Sequence, residues 1–309
     1  MPQQARQPVP IVFDASLDSI DQVLALGLLY GFDGKRLSRI ISITVNRNDL
    51  KTAAFADIIG RFYAGEIGNE TGYRNAFNVG MYEGGPTAAT PALLEAALSK
   101  PQYRRGISKL TDTADPVALI RNALSAMNDD TSAVVVAGSP TNLLNVVQNP
   151  DGKVWARRKP RVLIIAAGRF DHGDDPSLRP HADAYRKLLA EWPGNVVFVG
   201  SEVGDAAPFP ASSIESDFKW APNHPIVDVY RANHSMPYDA STRTMAAVLY
   251  AAQSDQPYFK LSPSGRVSIG DDGSTRFEAT PTGKHRYLIL ESEQKDRVIK
   301  TYTQATSTQ

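Results

Sequence analysis

The stretch PIVFDASLDSIDQVLALGLLYGF, residues 10–32, decides the fold. Residues 10–14 are a short apolar run that ends on an acid, which reads as a buried strand. Ile20, Val23, Leu24, Leu26, Leu28 and Leu29 then recur at helical spacing on one broad face, and Gly31 is placed to end that helix. A strand, an acid-rich loop and an amphipathic helix in that order form the unit from which parallel sheets are assembled.

Outward from this stretch the same rhythm repeats. RIISITVN (39–46) reads as a buried β-branched strand and DLKTAAFADIIGRFYAGE (49–66) as a helix. A helix over 115–127 precedes the strand AVVVAG (133–138) and a helix over 141–147. RVLIIAAG (161–168), a helix over 181–192 and NVVFVG (195–200) continue the alternation. Helices of this length between strands require right-handed crossovers, so the expected class is α/β: a doubly wound, mostly parallel sheet. After about residue 205 the pattern changes. A Pro-rich stretch (205–225) leads to helices over 227–232 and 245–253. The turn-rich strands SPSGRV (262–267), GDDGST (270–275) and PTGKHRYL (281–288) follow, then a last helix over 294–303. DDG at 271–273 and SPSG at 262–265 read as hairpin turns. No linker or repeat separates the two parts. The expectation is one domain over 1–309, with a Rossmann-like core over 10–204 and an α+β part over 205–309.

Composition narrows the partners. Lys plus Arg and Asp plus Glu both number 33, giving no net charge and no basic excess for nucleic acid or an anionic membrane. There are no cysteines, which excludes disulfides, thiolate nucleophiles and Cys-ligated zinc. No apolar run reaches the ~18 residues of a membrane span. The opening MPQQARQPVP (1–10) lacks an apolar h-region and does not read as a signal peptide. The compartment stays open between the cytoplasm and export with a leader already removed.

In open parallel sheets the ligand lies beyond the carboxyl ends of the strands, where strand order reverses. Residues 14–22, 46–49, 138–142 and 169–177 fall there. The loop FDASLDSID (13–21) carries Asp14, Asp18 and Asp21. Acids at a strand-to-helix junction can hold a metal or bind hydroxyl groups. They can equally cap the helix that follows Asp18 and Ser19.

The opening stretch resembles the start of the nucleoside hydrolases, the inosine–uridine-preferring N-ribohydrolase family, whose first strand runs into an Asp-x-Asp…Asp-Asp motif and an Ala/Leu-rich helix. AGSPTNLLNVV (137–147) is similar to that family's Gly-Pro-Leu-Thr-Asn segment, and AEWPGNVVFVGSEVG (190–204) and MPYDASTRTMAAVLYAA (236–252) resemble later segments of a bacterial branch. The resemblance spans about residues 10–301. It implies the nucleoside-hydrolase fold, a nucleoside or sugar ligand, and a homodimer or homotetramer. It also implies a Ca2+ ion held by aspartates of the first loop, a threonine carbonyl and a late aspartate. In that family the ion and one aspartate activate the water that attacks the anomeric carbon. Calcium takes six to eight oxygens, and anionic ones set its affinity. The metal lowers the water's pKa and a carboxylate takes the proton.

Carried over by residue, Asp14 matches the first aspartate, and Ser16 falls where the water-activating base belongs. Asp18 lies close enough to replace that acid. The adjacent acidic pair becomes Asp21 and Gln22. Thr141 matches the carbonyl ligand, and the late pair reads Arg243–Thr244, with Asp239 five residues too early. The ribose-binding Glu-x-Asn falls on Asp175 and Ser177. Asn46 or Asn48 matches an asparagine after the second strand, or either forms a turn; Asn142 joins the pocket set. Ser16, Gln22 and Thr244 offer neutral oxygens in place of carboxylates. Losing a positioned base typically costs about 10²–10⁴ in rate.

Three readings follow. The first is an active N-ribohydrolase with a rearranged site built on Asp14, Asp18 and Asp21 as catalytic acids. If a metal binds there, Asp14, Asp21 and Thr141 would hold it, weakly. The second is a non-catalytic relative, without a cofactor, that binds a nucleoside, sugar or related polyol among neutral groups. The third is a structural subunit whose pocket is plugged by Arg243 or by aromatics. The five histidines, His172, His181, His224, His234 and His285, show no metal-ligand spacing and read as surface or loop residues. Arg169 and Asp171 either line the pocket or pair in solvent. Phe170 and Tyr238 either stack on a ligand or pack.

Overall fold

The computed structural model describes residues 7–64, 78–171 and 173–308. β1 (Val9–Ala15) runs into α1 (Ile20–Gly34), followed by β2 (Ser38–Val45), α2 (Leu50–Tyr63) and the short β3 (Val79–Met81). α3 (Glu95–Leu98), α4 (Pro116–Ser125), β4 (Ser132–Ala137), α5 (Thr141–Gln148) and α6 (Pro150–Arg158) come next. β5 (Pro160–Ile165), α7 (Ala182–Glu191) and β6 (Val196–Phe198) complete the alternating part. Beyond it lie α8 (Ser201–Ala206), α9 (Ala211–Ser216), α10 (Pro225–Asn233) and α11 (Arg243–Gln253). β7 (Lys260–Leu261), β8 (Gly265–Ile269), β9 (Thr275–Ala279), β10 (His285–Ile289) and α12 (Lys295–Thr306) end the chain.

The sheet has the order β3-β2-β1-β4-β5-β6-β10-β8-β9, with β7 on β10. Pairing is parallel from β3 to β10 and antiparallel at the β8–β9 edge. The fold is therefore the expected α/β class, with a mostly parallel sheet. β1 is the pivot. From it the chain steps outward to β2 and β3 on one side and to β4, β5 and β6 on the other, so the crevice between β1 and β4 is the switch point. One apolar core packs α1, α2, α10, α11 and α12 on one face of the sheet; a second packs α4 to α7 on the other. β10 joins β6 in parallel, so the C-terminal part extends the sheet of the core.

Local departures from the sequence reading have identifiable causes. Gly31 does not end α1, which runs on to Gly34. A Cβ at Gly31 would lie 1.9 Å from the Ala305 carbonyl oxygen, so this glycine lets α12 cross α1 at close range. Arg36, at φ 56°, takes the left-handed position after the helix. SPSG does not close a hairpin, because β7 pairs with β10; DDG does join the antiparallel strands β8 and β9. α6, α8, α9 and β3 are too short, or too polar, to give a periodic signal. Among the described residues no helix is long and apolar enough to cross a membrane.

Candidate functional site at the switch point

Asp14 is the last acid on β1 and is fully buried at the switch point. Its Oδ1 accepts the Thr44 hydroxyl at 2.6 Å and the Asn142 amide at 2.8 Å, and its Oδ2 accepts the Asn46 amide at 3.2 Å. Thr44 lies beside Asp14 in the β1–β2 register, and Asn46 is two residues on, where the two-residue period returns to the same face. Asn142 comes from the first turn of α5. Burial pushes the Asp14 carboxyl up to about 6, against the pull of these three donors.

Ser16 closes the arrangement. Its hydroxyl donates to Asn46 Oδ1 at 2.7 Å, and Asn46 Nδ2 donates a further bond to the Ala137 carbonyl at 3.0 Å. Gly138, at φ +89°, borders this cluster, and a Cβ there would lie 1.8 Å from Ser16 Oγ. Tyr185 donates its hydroxyl to the Gly138 carbonyl at 2.8 Å. Gly138 opens the 138–142 segment expected here, whereas Thr44 and Tyr185 were not among the residues singled out from sequence. The alternation of Thr44 with Asn46 on β2 is the signal that could have found the former.

The loop after β1 turns through Leu17, a buried residue at φ 50°. Its N–H donates to Gln22 Oε1 at 2.6 Å, and Gln22 Nε2 donates to Asp18 at 3.0 Å. Gln22 thus braces a left-handed leucine, a conformation that costs of order 1–3 kcal/mol. Asp18 sits on the rim, 43% exposed and 3.7 Å from Arg47. Neither Asp18 nor Ser19 caps α1 as expected: Ser19 holds the cap position without a side-chain bond.

Asp21 caps a different helix. It accepts the Thr244 N–H at 2.7 Å and the Met245 N–H at 3.3 Å, at the first turn of α11. Burial raises its pKa, and the bonds from Thr244 and Met245 and the charge of Arg243 oppose that rise. Thr244 is buried beneath it. Arg243, the first residue of α11, reaches to the segment that follows β5. Its Nη1 donates to Asp175 at 2.5 Å and its Nη2 to the Ser177 hydroxyl at 3.2 Å. Asp175 also accepts the Gly168 N–H at 2.8 Å and the Ser177 hydroxyl at 2.6 Å. Burial would raise the Asp175 carboxyl, but Arg243, Ser177 and Gly168 together outweigh it and hold it low.

The candidate residues therefore fall into three hydrogen-bonded groups: Asp14, Ser16, Asn46 and Asn142; Asp18 and Gln22; and Asp21, Asp175, Ser177, Arg243 and Thr244. The Thr141 hydroxyl meets Ser139 at 2.7 Å. Asn48 ties the Glu83 and Gly85 carbonyls to the rim. No group of three or more His, Asp or Glu side chains among the described residues could hold a metal ion.

The aromatic candidates pack. Phe170 stacks on Tyr287 with ring centres 4.6 Å apart, and Tyr238 stacks on Tyr230 at 4.5 Å. Arg169 pairs with Asp171 at 2.8 Å. Of the histidines expected on the surface or in loops, His224 lies in a loop but is buried, and His285 departs from the expectation by lying in a strand. His224 is buried among Phe62, Phe218 and Trp220 and accepts the Ile226 N–H at the start of α10. His285 lies in β10 and accepts the Val267 N–H at 3.0 Å. His172 lies outside the described residues.

No protein-family model matches this sequence, and no curated protein matches it. Solved structures do resemble it. The inosine–uridine preferring nucleoside hydrolase of Bacillus anthracis superposes with a TM-score of 0.68 at 12% identity, covering 97% of this chain and 99% of its own. The purine-preferring ribonucleoside hydrolase of Gardnerella vaginalis gives 0.69 at 11% identity, with 96% and 98% covered. The type III effector protein XopQ, solved in complex with adenosine diphosphate ribose, gives 0.71 at 11% identity, with 98% and 95% covered. Over nearly its whole length the chain has the fold of the nucleoside hydrolases.

Proposed function

We propose that this protein binds a ribosyl compound (a nucleoside, a sugar or a related polyol) in the switch-point crevice, without the calcium-dependent hydrolysis that the fold commonly supports. The observation that carries this reading is the enclosure of Asp14. Its carboxylate accepts three neutral side-chain donors, so amide and hydroxyl protons point where a cation's positive charge would have to sit. Asp21 is engaged by the first turn of α11, and Ser16 and Gln22 are each bonded to a neighbour. Asn142 Oδ1, buried without a partner, is a spare oxygen, but it is neutral. These residues do not fit a calcium ion, whose affinity rests on several anionic oxygens. Ser16, at the position that the resemblance gives to the water-activating base, carries no carboxylate to take a proton from water.

What the crevice offers is hydrogen bonding. Asp18, Asn48, Ser177 and Arg243 stand on its rim and suit hydroxyl groups of a sugar. The proposal takes residues 1–309 as one working unit and includes assembly into a dimer or tetramer. The XopQ structure, with adenosine diphosphate ribose bound, supports the choice of a ribosyl ligand.

The pairing of Arg243 with Asp175 favours a second reading, a structural subunit whose crevice is plugged by the arginine. Equilibrium dialysis with inosine and with adenosine diphosphate ribose, alongside a ribose-release assay with and without calcium, separates the readings. Binding without ribose release is the expected result. Calcium-dependent turnover would overturn the proposal. No binding by the native chain, with binding gained in Arg243→Ala, would give the plugged reading.

A further inference from the structure

At the amino ends of β5, β6 and β10, on the sheet edge opposite the crevice, lies a cavity of about 280 Å3. Arg161, Lys284 and Arg286 line it with Asn195, Tyr250 and Ser264, and no carboxylate does. In a chain whose acids and bases are equal in number, this is a local positive excess. The adjoining crevice shares Arg161 and adds Arg39, but Asp130 and Asp255 balance it.

The cations are held in place. Arg286 donates from Nη1 to the Ser262 carbonyl at 3.3 Å and from Nη2 to the Ser264 hydroxyl at 2.8 Å. Those bonds fix the fork and use two of a guanidinium's five donors. Arg161 donates to the Ala251 carbonyl at 2.8 Å, offsetting the negative end of α11. Lys284, exposed at the mouth, bonds the Pro193 carbonyl at 3.0 Å. Burial raises the pKa of the Tyr250 hydroxyl, and Arg161 and Arg286 both oppose that rise, so the phenol lies close to both guanidinium groups.

We propose that this cavity binds a phosphoryl group, either as free phosphate or as the monoester of a small metabolite. A planar guanidinium matches two phosphate oxygens at once, and a lysine adds a point charge. Ser264 and Tyr250 supply hydroxyls for the remaining oxygens. The volume exceeds that of a phosphate ion and approaches the lower end, about 300 Å3, of small-molecule pockets. This site is independent of the crevice reading.

Calorimetric titration at low ionic strength with inorganic phosphate and with ribose 5-phosphate, against a chloride control of equal ionic strength, tests it. Saturable binding, weakened at least tenfold in Arg286→Gln and in Lys284→Gln, is expected. Lys284→Gln keeps the test open if Arg286→Gln fails to fold, because Lys284 is exposed. Binding of ribose 5-phosphate alone would identify an ester as the ligand, and binding of both would show that phosphate suffices. Absence of binding by either probe, or binding unchanged in the variants, would overturn the proposal.

Discussion

Asp21, on the first turn of α1, accepts the backbone N–H of Thr244 on the first turn of α11 at 2.7 Å. The family resemblance puts metal ligands at both positions. Here one residue caps the helix in whose first turn the other lies. Thr242, at the cap position itself, makes no side-chain cap bond, so Asp21 serves in its place from the neighbouring helix α1. Asp21→Ala would leave the amides of Thr244 and Met245 without this partner. We expect a loss of about 1–2 kcal/mol in urea unfolding, the usual cost of a missing cap. Faster hydrogen exchange at Thr244 and Met245 should accompany it. Unchanged stability and exchange would refute the capping role.

Arg243 and Asp175 form a largely sequestered pair, 19% and 6% exposed. Removing one partner of such a pair leaves the other charge without compensation. Arg243→Gln should cost roughly 2–4 kcal/mol near neutral pH. The Asp175 carboxyl, no longer held low, should titrate higher by carbon-detected NMR. A cost under about 0.5 kcal/mol, the range of ordinary surface substitutions, would mean that the pair is incidental.

Two buried groups oppose one another in their pH dependence. Asp14, raised to about 6, binds its proton more tightly in the folded state, so its contribution to stability falls as pH rises from about 4 to 6. His224, lowered by burial from 6.5 to about 3, must stay neutral, so its contribution is lost as pH falls through that interval. In the shared window the slopes cancel in part. Asp14→Asn removes the first, so stability should climb more steeply with pH than in the parent. Unfolding midpoints measured across the window check this, and an identical slope in the variant would contradict it.

Gly31→Ala places a methyl 1.9 Å from the Ala305 carbonyl oxygen. Alanine's helix propensity favours the change by about 1 kcal/mol, but α12 would have to move. A net loss of about 1–3 kcal/mol is expected from overpacking. A stabilised variant would show that α12 gives way at no cost.

The class of fold was legible because it rests on periodicity. β1, β2, β4, β5 and β6 are β-branched runs buried on both faces, and the helices between them carry apolar stripes. The meeting of Asp14, Asn46 and Asn142 was legible for the same reason, since all three follow from where strands end. The partnerships were not. Asp21 meets Thr244 across 223 positions of chain, and nothing in either neighbourhood announces a cap. Gly31 has the composition of a helix terminator and serves as a crossing point, a difference that only the packing of α12 creates. His224 carries aromatics close by in sequence, Phe218 and Trp220, but its burial also needs Phe62 of α2, which local sequence cannot announce.

Calcium calorimetry on chelator-stripped protein, followed by titration with a ribonucleoside, tests the central claim most directly. With Asp14 enclosed by Thr44, Asn46 and Asn142, we predict no saturable calcium heat up to millimolar concentration and a nucleoside affinity that calcium does not change. Tight calcium binding that Asp14→Ala or Asp21→Ala abolishes would contradict the account, because both carboxylates would then be metal ligands rather than a hydrogen-bonded core group and a helix cap.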